Sequence, residues 1–283
     1  MSKFFCDTNC ELWYTDAEEL GINVIRMPYT IDDEMYFYDL GKDTDLKWYF
    51  DKMREGAMAK TQALNSSEYI EYFEPVFASG EDIIYVTFSH EMSGTFNSMN
   101  SAIAELKEKY PDRKITVCDS RNISLGAGYV VKEAAKLHNA GASDEEVASF
   151  VESFKTKIKI AFTVDDLKYL VRGGRLSAIA GAMGTILQLK PIIETVDGKL
   201  QSTAKANGRK KSIRTLIDKI GEYNADLSYD ITLIHADCEE ELNFFKAQVE
   251  EKYPKANVKV SKVGPVIGAH CGPNTLGLIF VGK

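Results

Sequence analysis

Short apolar runs alternate with amphipathic stretches through the first half of the chain. Residues 83–88 are rich in β-branched and aromatic side chains and predict a buried strand; 115–118 predict a shorter one, and 3–6, 23–29 and 35–38 complete the strand set. Helical patterns lie at 43–55, 67–77, 95–109, 126–138 and 144–155. Ser143 with Glu146 three positions on is the sequence signature of a capping box, and Asn65-Ser66 forms a cap region ahead of 67–77. Strand–helix alternation of this kind predicts parallel βαβ units.

The pattern changes near residue 158. A strand at 159–163 leads into helices around a double glycine. Residues 191–196 and 199–206 flank Asp197-Gly198, a strong two-residue hairpin signal. A helix follows at 209–223, then strand 231–236, helix 239–253, strand 257–261 and a last strand at 276–281. The predicted fold class is α/β with two domains: 1–158, a parallel-sheet βαβ domain, and 159–283, an α/β domain containing a β-hairpin. No repeat or low-complexity tract interrupts it.

Composition narrows the function classes. With 283 residues, 45% hydrophobic and 27% charged, the chain is long enough to bury a real core. A net charge of −8 argues against nucleic acid, whose phosphates call for a basic face. Five cysteines without CxxC or zinc spacing fit free thiols in a reducing cytoplasm, and no metal site is expected. The N-terminal residues lack a secretory signal, no run of about 18 apolar residues exists, and no lipidation motif appears. A cytoplasmic protein without a stable membrane anchor is the expectation.

Several segments carry candidate chemistry. The densest, 164–198, joins Arg172-Gly173-Gly174-Arg175, a helix start at Ser177, an apolar run closed by Pro191 and the Asp-Gly turn. Together these suggest an anion-facing turn beside an apolar surface; alternatively, 172–175 is a helix stop with a left-handed glycine. The strand at 83–88 runs into Ser89 and then Ser93-Gly94-Thr95, where a helix begins. Ligands of open α/β sheets sit beyond strand carboxyl ends, and a helix N-terminus offers N–H groups to a carboxylate or phosphate. Plain helix capping by Ser93 or Thr95 is the bland alternative. Thr61 lies in a polar loop, and Asp119-Ser120-Arg121-Asn122 lines the same crevice or caps the next helix. Residues 199–214 hold six basic and no acidic side chains, among them Arg209 and Lys210, and form either a docking patch or a solvated helix face. His270, in the glycine- and proline-punctuated stretch 263–273, sits in a constrained loop, suited to a head-group contact, to proton transfer or to a structural role.

Taken in order, these segments resemble the DegV family of bacterial fatty-acid-binding proteins. The resemblance runs from Cys6-Asp7-Thr8 to the C-terminus and rests on DDLKYLVRGGRLS, LKPII with DGK, and GPVIGAHCGP with LGL, supported by SGT at 93–95 and DS at 119–120. It implies a two-domain DegV-like fold with one long-chain fatty acid in a tunnel between the domains. Thr61 and Ser93, with Gly94 and Thr95, would hold the acyl carboxylate, and His270 would lie close by. It further implies a non-catalytic lipid-binding role: the bound acid is presented to a fatty acid kinase, and the acyl phosphate serves phospholipid synthesis. Arg172, Arg209 and Lys210 would be the phosphate or partner contacts. No cofactor beyond the acid is called for. The chain departs from the family at Gln-Ala-Leu-Asn after Thr61 and at Asn207, where many members carry arginine. Burying about a dozen methylenes would supply ~10 kcal/mol, so the carboxylate needs only a few hydrogen bonds. The competing reading is a serine hydrolase using Ser93 and His270; against it, Ser93 lies in no GxSxG elbow.

Overall fold

The computed structural model describes residues 2–175 and 189–283; the expected helix start at Ser177 lies outside them. In chain order the first strands and helices are β1 (Lys3–Asp7), α1 (Tyr14–Glu19), β2 (Asn23–Ile25), β3 (Pro28–Ile31), β4 (Glu34–Phe37), α2 (Leu46–Arg54), β5 (Ala59–Thr61) and α3 (Ser66–Ala78). Then come β6 (Ile83–Thr87), α4 (Thr95–Lys109), β7 (Ile115–Asp119), α5 (Ser124–Asn139), α6 (Asp144–Phe154), β8 (Ile158–Thr163) and α7 (Lys168–Arg172). The remainder is β9 (Leu189–Val196), β10 (Lys199–Asn207), α8 (Arg209–Glu222), β11 (Ile231–His235), α9 (Glu239–Lys252), β12 (Val258–Lys262), α10 (Pro265–Cys271) and β13 (Leu276–Val281).

The chain divides into two compact units. The first gathers residues 1–30, 34–44 and 61–156. Its sheet, in order β2-β1-β6-β7, is parallel throughout, as the strand–helix alternation predicts. Each residue of β6 is buried, which a central strand covered on both faces requires. Helix α5 packs over β1 and β6, α6 packs against β7, and α3 packs against α4. Both expected caps form: Ser143 and Glu146 close a capping box at α6, and Asn65 with Glu68 does the same for α3. The expected strand at 23–29 is instead two strands, β2 and β3, with Arg26 and Met27 between them. The Met27 N–H leaves the strand ladder to donate to Thr8 Oγ1 at 3.0 Å.

The second unit gathers residues 31–33, 45–60 and 157–283. Its six-stranded sheet runs β10-β9-β8-β13-β11-β12 and is mixed, with β11 and β12 parallel and the other neighbours antiparallel. Asp197 and Gly198 take positive φ values of 49° and 81° between β9 and β10, as a two-residue hairpin turn demands. Leu216 and Ile213 of α8 and Phe245 of α9 bury against Ile231, Leu233, Leu276 and Leu278 of the sheet. Residues 45–60 precede residue 158 in sequence yet group here because α2 packs on α10. The Tyr49 hydroxyl donates to the Pro265 carbonyl at 2.8 Å. A Cβ on Gly268 would lie 3.0 Å from the Phe50 ring and 3.1 Å from the Tyr49 ring, so any larger residue would require these rings to give way by a few tenths of an ångström. Burying Tyr49 and Phe50 there contributes about 1.5–3 kcal/mol each.

Candidate functional site

In the first unit, the candidate site begins where β6 ends. Ser89 is buried; its N–H donates to the Asn122 carbonyl at 2.8 Å and its Oγ accepts the Glu91 N–H at 3.3 Å. This fixes a short 3₁₀ turn at His90–Met92, after which Ser93 is extended (φ −152°, ψ 139°). Gly94 then precedes α4 and, having no side chain, gives the helix no cap. Ser93 supplies one instead: its Oγ accepts the Thr95 N–H at 3.2 Å. That bond uses an oxygen lone pair and leaves the serine proton outside it. Helix α4 thus presents N–H groups and a partial positive charge beside a half-buried hydroxyl, a combination suited to an anion.

Thr95 behaves differently from the expectation of a ligand-facing hydroxyl. It is wholly buried, and its Oγ1 lies 3.0 Å from the Tyr69 hydroxyl. Thr61 closes strand β5 and is half-buried, rather than lying in a loop. Residues 119–122 do not cap α5; Ser120 and Asn122 are buried and Arg121 is exposed. Asp119 Oδ1 accepts the N–H groups of His90 at 3.3 Å and Arg121 at 2.8 Å, and Asn122 Nδ2 donates to the carbonyls of Ser120 and Lys155. They brace the Ser89–Met92 turn from β7. His90, which spacing alone left unassigned, stacks on Phe96 at 3.9 Å and bonds Thr87 Oγ1 through Nε2 at 2.9 Å.

Beneath this turn lies a buried polar group that the motif search did not single out. Asp7 closes β1 and is fully enclosed. It accepts the Tyr85 hydroxyl at 3.0 Å, the Asn9 N–H at 3.0 Å and the Phe88 N–H at 3.3 Å. Burial nevertheless pushes its carboxyl up to about 6, those hydrogen bonds only partly offsetting the desolvation. Its position at the carboxyl end of a parallel strand was the available signal.

The second unit holds the remaining candidates. Gly173 and Gly174 follow α7 and are glycines for different reasons. Gly174 is left-handed at φ 69°, as the helix-stop reading expects. Gly173 has ordinary φ, but a Cβ there would lie 2.1 Å from His270 Nδ1. His270 sits in the last turn of α10 rather than in a loop; Pro265 opens that helix and Gly272, at φ 76°, ends it. The proline-first, glycine-last signature was legible, and Gly268 in the middle obscured it. Burial, then Arg175 and Arg172, lowers the His270 imidazole to about 4. The ring is therefore neutral at physiological pH and able to donate a hydrogen bond. Arg172 lies over the Tyr169 ring at 5.3 Å and is exposed. Arg209 makes two bonds to Glu241, at 3.0 and 2.8 Å, and a third to the Asn274 carbonyl, whereas Lys210 is exposed. Among the described residues no group of His, Cys, Asp and Glu is assembled to hold a metal, and no helix is long and apolar enough to cross a membrane.

Comparison with known proteins follows the same lines. Residues 2–283 match the family described as "Uncharacterised protein, DegV family". The chain is 37% identical to a DegV domain-containing protein of Clostridium perfringens over 286 residues, covering all of this chain and 98% of that one. DegV of Bacillus subtilis, a fatty acid binding protein, superposes with a TM-score of 0.85 at 26% identity over 99% of each chain. A fatty-acid-binding DegV family protein of Thermus thermophilus superposes with a TM-score of 0.86 at 24% identity, again over 99% of each chain.

Proposed function

The chain belongs to the DegV family, and on that premise we propose that it binds one long-chain fatty acid whose carboxylate is held at the Ser93 turn. The observation that carries this reading is the turn itself. A helix N-terminus without a side-chain cap at Gly94 stands beside a serine whose oxygen is engaged by Thr95 and whose proton is outside that bond. Relatives described as fatty acid binding proteins, the Bacillus subtilis one among them, support the choice of ligand. Thr61 is the second proposed donor. Acyl burial at about 0.8 kcal/mol per methylene supplies the affinity. The polar contacts mainly remove the cost of desolvating the carboxylate.

The same reading extends to a fatty acid kinase as partner. The bound acid's carboxylate oxygen would attack the γ-phosphorus of ATP, the bond to ADP would break, and an acyl phosphate would leave for phospholipid synthesis. This chain would present the acid and supply no catalytic residue. Arg172, Arg209 and Lys210 are the proposed contacts for the partner or its phosphates, since cations there would offset charge on the transferred group.

The test is mass spectrometry of an organic extract of the purified protein, with calorimetry of added oleate or palmitate. About one acid per chain is expected. A lipid-free extract together with no heat of binding rules the reading out, and turnover of a chromogenic ester would favour a hydrolase instead.

A further inference from the structure

Two thiols that the proposed ligand site does not use meet at the carboxyl end of β1. Cys6 lies on that strand, and Cys10 lies four residues on, in the short 3₁₀ turn Thr8–Cys10. Their sulfurs are 3.7 Å apart, the Cys10 thiol donating to the Cys6 sulfur. Both residues are enclosed, at 0% and 1% exposure.

The surrounding chain builds this contact. The Asp7 carboxylate caps the turn by accepting the Asn9 N–H at 3.0 Å, and the turn brings residue 10 back to residue 6. Glu11 then ends it with a left-handed φ of 49°. Helix α5 closes the other side. A Cβ on Gly128 would lie 2.4 Å from the Cys10 carbonyl, so a side chain there would push the turn away. Cys238, by comparison, turns its thiol to the Thr275 carbonyl at 3.5 Å.

We propose that Cys6 and Cys10 are a reversible dithiol–disulfide couple, a modification site whose oxidant is a low-molecular-weight disulfide. The inference stands apart from the fatty-acid reading. One cysteine gives up its proton, and its sulfur attacks the oxidant. The oxidant's S–S bond breaks, and half of it leaves as a thiol carrying a proton. The second cysteine sulfur then attacks the mixed disulfide and expels the other half as a thiol. Two cysteine thiols are oxidised, and one disulfide is reduced to two thiols. The sulfurs must close from 3.7 Å to roughly 2.05 Å, a displacement that rotation about the two Cα–Cβ bonds spans. The Cys10 hydrogen bond, then burial, holds the Cys6 thiol well above its ordinary range, so attack waits on transient opening of the turn. Enclosure also selects the product. A mixed disulfide has no room to persist beside a sulfur already in contact.

An equilibrium tests this without depending on rate. The full chain is held to constancy in glutathione redox buffers, both folded and in urea, then quenched with acid and alkylated. Trypsin cuts after Lys3 and Arg26, so both cysteines stay on the peptide 4–26. In the folded chain this peptide should emerge unalkylated and two hydrogens lighter than the dithiol, and accept two alkyl groups after reduction. Half-oxidation should need at least about ten-fold less glutathione disulfide than in urea, because the fold holds the sulfurs together. Cys6→Ser and Cys10→Ser should each leave one alkylated thiol on the peptide. A folded parent that takes both alkyl groups across the whole buffer range, that oxidises no more readily than in urea, or that accumulates as a glutathione adduct overturns the inference. So does a serine variant whose remaining cysteine is oxidised as readily as in the parent. The parent's own measurement stands even where a variant does not fold.

Discussion

Gly173 faces the His270 imidazole so closely that a Cβ would sit 2.1 Å from Nδ1. Gly174, next to it, has nothing within 4 Å of its own absent Cβ and instead needs glycine for its φ of 69°. The two alanine substitutions should therefore fail differently. Gly173→Ala must displace a buried ring and should cost about 1–3 kcal/mol of overpacking. Gly174→Ala should cost about 1–2 kcal/mol of left-handed backbone strain, and Gly174→Asn less. Urea midpoints measure both losses.

Two buried groups give stability opposite pH dependences. His270 titrates at about 4 in the fold, below its ordinary value of 6.5. As pH falls from about 6.5 toward 4, the unfolded chain takes up a proton that the folded one refuses, so acidification destabilises the fold. Asp7 has the reverse sign: its carboxyl is raised from 3.8 to about 6. The fold holds that proton more tightly, and stability from this group is lost as pH rises from about 4 to about 6. Subtracting the urea midpoint of His270→Gln from that of the parent should give a difference that declines on acidification through the first window. The same subtraction with Asp7→Asn should decline on alkalinisation through the second. A difference that is flat with pH would show that the residue titrates as it does in the unfolded chain.

These two residues mark where the sequence is legible and where it is not. Asp197-Gly198 and the Ser143/Glu146 box are decided within four residues, and the expected turn and cap both form. Helix and strand cores follow from periodicity, with ends off by a few residues. The short α1 over Tyr14–Glu19 escaped, being too brief to show a period. What packs against what is set elsewhere in the chain. Nothing near Asp7 announces Tyr85, nothing near Gly173 announces His270, and nothing in 45–60 announces Pro265. Thr95 illustrates the same limit. Its place at a helix start suggested a ligand contact, whereas Tyr69, 26 positions away, takes its hydroxyl.

The proposed carboxylate site divides its residues accordingly. Ser93→Ala and Thr61→Ala should each weaken acid binding by about 1–3 kcal/mol, the cost of leaving a charged acceptor short of a donor. Ser93→Ala should also cost about 1 kcal/mol of stability, because the Thr95 N–H loses its cap. Thr95→Val should act chiefly on stability by stranding the Tyr69 hydroxyl, and Thr95→Ser should restore it. Calorimetry with oleate beside urea denaturation distinguishes the two patterns. Parent-like affinity in both Ser93→Ala and Thr61→Ala would mean that the carboxylate lies elsewhere.

The basic segment requires a division that its sequence did not suggest. Arg209 is engaged by Glu241 and the Asn274 carbonyl, so Arg209→Glu places like charges together and removes the donor from a partly buried carbonyl. That variant should lose stability whether or not a kinase docks there. Lys210 is exposed at the start of the same helix and has no such structural duty. Lys210→Glu should leave both the urea midpoint and oleate affinity within error of the parent, since isolated surface charges contribute little. Under the proposed kinase role it should lower the rate at which a cognate kinase converts bound acid to acyl phosphate, by slowing association, and the defect should shrink at high salt as the charges are screened. Arg172→Glu should affect conversion similarly, with an added stability cost from its place over Tyr169 and its bond to the Ala59 carbonyl at 3.4 Å. The assay follows acyl phosphate formation at saturating oleate and several salt concentrations. Conversion by Lys210→Glu and Arg172→Glu at the parent's rate throughout would reduce both residues to a solvated surface and leave the kinase, if it docks, to another face.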